Sequence, residues 1–121
     1  MTALTVGMVT VDCDDVGKVA EFWSAALDIP VDDGASEFMA SLNYAGTRLP
    51  RFMFLKVPEP KTTKNRMHLD LVLDKAVQRE DEVARLVELG ASHIDDKDEW
   101  GFSWAVLNDP GGNEFCIGGK K

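Results

Sequence analysis

The spacing of apolar residues divides the first half of the chain into a strand, a helix and two further strands. Residues 4–13 are rich in valine and threonine and predict a strand. Asp14 and Asp15 then offer an N-cap, and apolar residues recur at helical spacing until Pro30 ends the pattern. Two short strands are expected near residues 37–44 and 49–57, with turn residues between them.

The second half repeats this order after residues 58–64, a polar segment that contains prolines. Residues 66–74 predict a strand, and a helix is expected to begin at Asp74 or Lys75 and to end at Gly90. Short strands follow near residues 92–94, 103–107 and 114–117. We therefore predict one domain over residues 1–121, built from two modules at residues 1–60 and 65–121.

Composition and charge narrow the class of protein. The balance of 45% apolar and 28% charged residues indicates a globular chain rather than a disordered one. A net charge of −8 argues against a nucleic-acid or anionic-membrane partner, because phosphate binding needs a basic patch. The chain has no basic signal-peptide region and no long apolar run, and Cys13 and Cys116 form no paired motif. We expect a cytoplasmic protein with free thiols.

Strand alternation separates an apolar side from a mixed side on the first strand of each module. The mixed sides carry Met8 and Thr10 in the first module and His68 and Asp70 in the second. We expect the mixed sides to line a ligand cleft. The opposite sides are apolar and are expected to be buried beneath the helices; they carry Val9, Val11, Leu69 and Leu71.

Three groups of residues resemble the glyoxalase/bleomycin-resistance/dioxygenase superfamily, also called the vicinal oxygen chelate superfamily, and in particular its glyoxalase-like subfamily. They are Val9–Asp15 with Ala20–Trp23, His68–Leu71, and Asp109–Cys116. Together they follow the order of the family over nearly the whole chain. The resemblance implies an α+β fold of paired βαβββ modules, whose mixed sheet curls into a cup with the helices outside and the ligand inside. It also implies a homodimer.

The resemblance implies four metal-ligand positions in metal-dependent members, which fall here on Met8, residues 51–57, His68 and Cys116. A thioether is a poor ligand for the usual dications, and the apolar run from Phe52 to Leu55 offers none. His68 and Cys116 fall short of the three protein ligands of catalytic zinc, although Glu114 or Asp70 can shift inward to complete them. We predict no catalytic metal and no other cofactor; any metal that does bind is expected at His68.

Two classes of function remain open. The first is a protein that binds a neutral or cationic small molecule in a mostly apolar cup. Its expected ligand contacts are Met8, Thr10, Phe52 or Phe54, Trp104, Glu114 and Cys116. The second is an enzyme of lyase, isomerase or dioxygenase type, in which His68 and Asp70 act as acid and base or as part of a partial metal site. His68 can equally be a core polar group that is hydrogen-bonded to Asp70.

Overall fold

The part of the chain that the structure describes has an α+β fold with two mixed sheets and two helices, and this fold class agrees with the sequence prediction. The computed structural model describes residues 3–46 and 49–120. Residues 1, 2, 47, 48 and 121, which fall within the predicted modules, lie outside the described part. The chain divides into two compact units, Met1–Pro60 and Lys61–Lys121. In the described residues, neither helix is long and apolar enough to cross a membrane.

Unit 1 contains strand β1 (Met8–Cys13), helix α1 (Val16–Leu27), and strands β2 (Met39–Leu42) and β3 (Arg51–Lys56). The sheet has the order β1-β3-β2, in which β3 runs parallel to β1 and antiparallel to β2. Val31 adds an isolated bridge to Leu42. The strands and the helix of this unit therefore follow the order that the apolar spacing predicted.

Helix α1 begins where the sequence placed its N-cap. The Asp15 carboxylate accepts a hydrogen bond of 3.2 Å from the backbone N–H of Lys18, which satisfies one of the unpaired N–H groups of the first turn. The helix ends at Asp28, which adopts the left-handed conformation with φ of 55°. Its buried side, which includes Val19 and Trp23, packs on β2 and β3.

Unit 2 contains strand β4 (Leu69–Leu73), helix α2 (Arg79–Leu89), and strands β5 (Ser92–Glu99), β6 (Phe102–Asn108) and β7 (Glu114–Lys120). The sheet order is β4-β7-β6-β5, with β4 parallel to β7 and the other neighbours antiparallel. The core of this unit lies on one side of the sheet and includes Leu86 of α2, Leu107 and Phe115.

The start of helix α2 corrects the sequence prediction. Asp74 closes a turn instead: its carboxylate accepts a hydrogen bond of 2.8 Å from the N–H of Ala76, and its carbonyl accepts one of 3.0 Å from the N–H of Val77. Aspartate offers the backbone such an alternative to the helix, so α2 begins only at Arg79. The predicted end at Gly90 is confirmed.

The expectation that the apolar sides of the first strands are buried beneath helices is also only partly right. Strands β1 and β4 lie at the edges of their sheets, so Val9, Val11, Leu69 and Leu71 are half-buried. Helix α1 packs on β2 and β3, and α2 contacts β5. The most deeply buried apolar side chains of the sheets lie on other strands, such as Leu42 on β2, Phe54 on β3 and Phe115 on β7.

Candidate functional site

One face of the sheet in unit 2 carries the side chains that are capable of ligand binding or acid–base chemistry. Asp70 of β4 is paired with Cys116 of β7, and Cys116 is paired with Val106 of β6. Paired residues in a ladder point to the same side, so these side chains share a face with Trp104, two residues from Val106. We call this face, formed by His68, Asp70, Trp104, Cys116 and Gly118, the site face.

A compact cluster forms where His68 precedes β4. The Nδ1 atom of His68 lies 3.0 Å from Oδ1 of Asp70 and 3.9 Å from the Sγ atom of Cys116. The three possible ligand atoms lie within 4.8 Å of one another. The Asp70 side chain is 69% exposed, whereas Cys116 is only 6% exposed. The cluster therefore has a buried thiol at its base and a carboxylate open to solvent.

The surroundings of Cys116 keep its thiol neutral. Burial raises the pKa of the Cys116 thiol, and the charge of the nearby Asp70 carboxylate raises it further. A reactive cysteine needs a lowered pKa, because the thiolate is the nucleophile. Cys116 therefore acts as a weak hydrogen-bonding group at neutral pH rather than as a nucleophile.

A cavity of about 610 Å³ opens on the site face. Trp104 and Phe102 supply aromatic walls, Cys116 and Gly118 lie along β7, and Asp70 and Glu80 supply carboxylates. Arg79 also lines the cavity, but its guanidinium donates hydrogen bonds to the carbonyl of Ser103 at 2.9 Å and to its hydroxyl at 3.2 Å. The volume lies within the roughly 300–1,000 Å³ that small-molecule sites occupy.

The lining residues that were not predicted from the sequence include Arg79, Glu80, Phe102 and Gly118. Arg79 was assigned to the inside of a predicted helix, so its place at the helix start was hidden. Phe102 carried a usable signal, because it alternates with Trp104 along one strand. Gly118 lies one residue beyond the predicted end of the last strand, so its place on the site face was hidden too.

Glu114 is placed differently from the expectation that it lines the ligand site. Its carboxylate accepts hydrogen bonds of 3.2 Å from Nζ of Lys61 and 3.1 Å from the backbone N–H of Asn65. Burial opposes ionisation of Glu114, but the N–H groups of Asn65 and of Glu114 itself, together with Lys61, outweigh it and lower its pKa. Glu114 thus links the segment before β4 to strand β7 by hydrogen bonds. It does not belong to the His68 cluster.

Phe52 and Phe54 do not share a surface with Met8 and Thr10, which corrects a second expectation. The parallel register pairs Val9 with Phe52 and Val11 with Phe54, so both rings lie on the side that α1 covers. Phe54 is completely buried and Phe52 nearly so. Met8 and Thr10 are exposed on the opposite side, and their role as ligand contacts stays a prediction.

The chemical groups in the cluster are of the types that bind zinc in proteins. An imidazole nitrogen, a carboxylate oxygen and a thiol sulfur are the three kinds of protein ligand that zinc accepts. Asp70, one of the two residues expected to be able to complete a set with His68 and Cys116, lies within reach of both. Three protein ligands with one open position is the arrangement of a catalytic zinc.

Comparison with known families identifies the class of protein that this fold and this site define. The chain matches the glyoxalase-like domain family over residues 8–118. The protein belongs to that family, as the three sequence motifs indicated. A comparison with curated protein sequences finds no match.

Several solved structures share this fold. A glyoxalase/bleomycin resistance protein/dioxygenase family enzyme from Burkholderia phytofirmans PsJN has a TM-score of 0.78 at 16% identity and covers 98% of this chain and 100% of its own. The fosfomycin resistance protein FosX from Listeria monocytogenes, solved as an E126Q mutant with Mn(II) and 1S,2S-dihydroxypropylphosphonic acid, has a TM-score of 0.77 at 10% identity, with 100% and 93% coverage. FosX from Mesorhizobium loti has a TM-score of 0.73 at 12% identity, with 100% and 95% coverage. At these identities the likeness concerns the fold alone.

Proposed function

We propose that the protein binds a small, planar, neutral or cationic molecule in the cavity on the site face. The observation that carries this proposal is the cavity of about 610 Å³ itself, which has aromatic walls and is lined by Asp70, the hydrogen-bond partner of His68. Few convergent polar groups in a mostly apolar cleft are typical of small-molecule sites. Membership of the glyoxalase-like family is consistent with a ligand-binding role.

The charges around the cavity favour a neutral or cationic ligand. Asp70 and Glu80 contribute carboxylates to the lining. The guanidinium of Arg79 is bonded to Ser103, so part of its hydrogen-bonding capacity is used within the protein. The aromatic rings suit a planar ligand, and a cation over an aromatic face gains about 0.5–2 kcal/mol.

A screen of metabolites and antibiotics tests this proposal, with melting temperature and tryptophan fluorescence as readouts. We expect a ligand that raises the melting temperature of the wild type and whose effect is lost in Trp104→Ala. Trp100→Ala is the matched control, because Trp100 is 86% exposed and does not line the cavity. A ligand with equal effects in all three proteins would place binding elsewhere, and a screen without any ligand would remove the proposal.

A second candidate function is catalysis at the same cluster, and the three donors within 4.8 Å favour it. Asp70 holds the His68 ring by the contact at Nδ1, so Nε2 can accept or donate a proton. If zinc binds, His68, Asp70 and Cys116 would hold it, and the ion would supply Lewis acidity to a bound oxygen. We keep the expectation that no metal is resident, because Met8 and the apolar run in β3 leave two of the four family positions without a suitable donor.

Elemental analysis after chelator-free purification tests whether the second candidate is a metal-dependent enzyme. We expect less than stoichiometric metal and no change in melting temperature in excess chelator. Near-stoichiometric zinc that disappears in His68→Ala, while Glu99→Gln retains it, would favour the metal-dependent enzyme. Glu99 is a suitable control because it is an exposed acid on the edge strand of the same sheet.

We also propose that the protein forms a homodimer. Strands β1 and β4 are sheet edges, and each exposes an apolar side chain, Met8 on β1 and Val72 on β4. Unpaired edges with apolar side chains are surfaces that a second copy can cover. Light scattering is expected to give twice the chain mass; a species of 13.3 kDa at every concentration would contradict the dimer.

A further inference from the structure

Gly118 lies in the interior of strand β7, and its backbone does not need glycine. It does not have the left-handed φ that favours this residue. A Cβ atom built at Gly118 would have one heavy atom of the described chain within 4 Å, Cβ of Trp104 at 3.9 Å, which is an ordinary contact. Glycine in a strand is less favourable than alanine, since it loses more conformational freedom and packs no side chain. The register between β4 and β7 shifts beside Gly118, but this irregularity does not place Gly118 in the left-handed region, so it does not require glycine either.

The position of Gly118 on the sheet is beside Trp104 and the cavity of the site face. The antiparallel register pairs Ala105 with Ile117, so Trp104 lies opposite Gly118. Both residues line the cavity of the site face, together with Cys116 two residues before Gly118. A strand glycine beside a cavity marks a place where a ligand can approach the backbone closely. Gly118 thus leaves a strip of backbone without a side chain next to Trp104.

We propose that Gly118 determines ligand shape: a flat ring lies over the β7 backbone at Gly118 and against the side chain of Trp104. This inference rests on the proposed function and adds a geometric condition to it. Asp70 is paired with Cys116 across the ladder, so its exposed carboxylate lies at the edge of the same strip. The favoured ligand is therefore a planar ring that carries a positive charge at its rim.

Two amidines that differ only in ring shape test the condition. Benzamidine is a flat cation, and cyclohexanecarboxamidine carries the same charge on a puckered ring. We expect benzamidine at millimolar concentration to shift the NMR signals of the Gly118 amide and the Trp104 indole N–H. The puckered amidine is expected to bind about tenfold more weakly, since misfit by a group of methyl size costs at least that much in a fitted site.

Gly118→Ala separates ligand shape from protein stability. The added methyl group meets only ordinary contacts, so we expect the variant to fold with an unchanged or slightly higher melting temperature. Its benzamidine affinity is expected to fall by about tenfold, because the methyl group fills the strip on which the ring lies. Gly7→Ala is the matched control, since a Cβ at Gly7 has no described atom within 4 Å and Gly7 does not line the cavity. It is expected to retain full affinity.

The outcomes distinguish this inference from the function on which it rests. If the wild type and Gly118→Ala bind benzamidine equally, the inference is overturned while a ligand site stands. If the compound screen finds ligands for the cavity but neither amidine binds, the shape condition is wrong. If no compound binds at all, the proposed function fails and the inference fails with it.

Discussion

The imidazole of His68 lies between a carboxylate and a thiol, and both neighbours approach the same nitrogen. Nδ1 is 3.0 Å from Oδ1 of Asp70 and 3.9 Å from Sγ of Cys116. A catalytic relay uses the two ring nitrogens separately, one toward the nucleophile and one toward the acid. The cluster can therefore form hydrogen bonds to a ligand, take part in acid–base chemistry or supply ligand atoms to a metal. It does not activate Cys116 as a nucleophile.

Sequence reasoning identified these residues unevenly. Strand alternation was enough to place His68 and Asp70 on one side, because both belong to the same extended segment. It did not show that Asp70 meets Cys116, since that contact depends on the register between β4 and β7. It also assigned Glu114 to the ligand site, because Glu114 and Cys116 alternate correctly on β7. Lys61 and Asn65, which hold the Glu114 carboxylate, come from a loop whose path no pattern predicts.

Glu114 gives a prediction about pH and stability. The pKa of Glu114 is lowered in the folded protein, so its stabilisation is complete above the unfolded-state value, about 4.3. That stabilisation is lost as the pH falls through the folded pKa. We expect Glu114→Gln to lower the free energy of unfolding at pH 7 by about 1–2 kcal/mol, because hydrogen bonds to a charged group are lost. Urea denaturation at pH 7 and pH 3 measures the difference in the free energy of unfolding between Glu114→Gln and the wild type.

The loss in Glu114→Gln should become smaller at pH 3, because this pH lies below the unfolded-state pKa and the stabilisation by the carboxylate declines as the pH falls from there. Glu99→Gln is the control, because Glu99 is exposed and its removal should change little at either pH. An equal loss at both pH values would show that the ionised carboxylate of Glu114 is not responsible.

At the level of elements, local signals were reliable where the side chain acts on its own backbone. The N-cap at Asp15 and the stop at Gly90 are cases of this kind. Asp74 has the same side chain as Asp15 but closes a turn. The spacing of the apolar residues that follow does not distinguish such a turn from a helix start. The uninterrupted apolar run from Phe52 to Leu55 is a case in which the local pattern was not sufficient. Alternation cannot choose its buried side, and the pairing with β1 decides it.

Strand β5 is longer than predicted because its end is set by a turn that the sequence does not announce. Trp100 and Gly101 connect β5 and β6 with φ of 53° and 80°. Tight hairpin turns with positive φ at both positions favour asparagine or glycine at the first one. A tryptophan there carries no turn signal, and the polar residues of this exposed edge strand do not alternate with apolar ones.

Trp100→Asn is expected to stabilise unit 2. Asparagine adopts the left-handed region more easily than tryptophan, so we expect an increase of about 0.5–1 kcal/mol in the free energy of unfolding. Trp100→Val is the control, since a β-branched residue is strained at positive φ and should lower stability. Urea denaturation compares the three proteins. Equal stability of the asparagine and valine variants would mean that the turn conformation does not limit stability.

At the scale of the whole molecule, the order of motifs carried more information than any single residue. The segments at Val9–Asp15, His68–Leu71 and Asp109–Cys116 are each weak, but together they predicted the α+β fold and the family that the comparisons establish. The ligand was not predictable to the same degree. Relatives with this fold differ in activity, so function depends on the residues of the site rather than on the architecture.

The proposed function requires that the cavity of the site face is the ligand site. A crystal structure with the strongest ligand from the compound screen tests this most directly. We predict density for a planar molecule against Trp104 and above Gly118, with a polar atom within hydrogen-bond distance of His68 or Asp70. A fully occupied ligand elsewhere on the protein, with this cavity holding only water, would contradict the account.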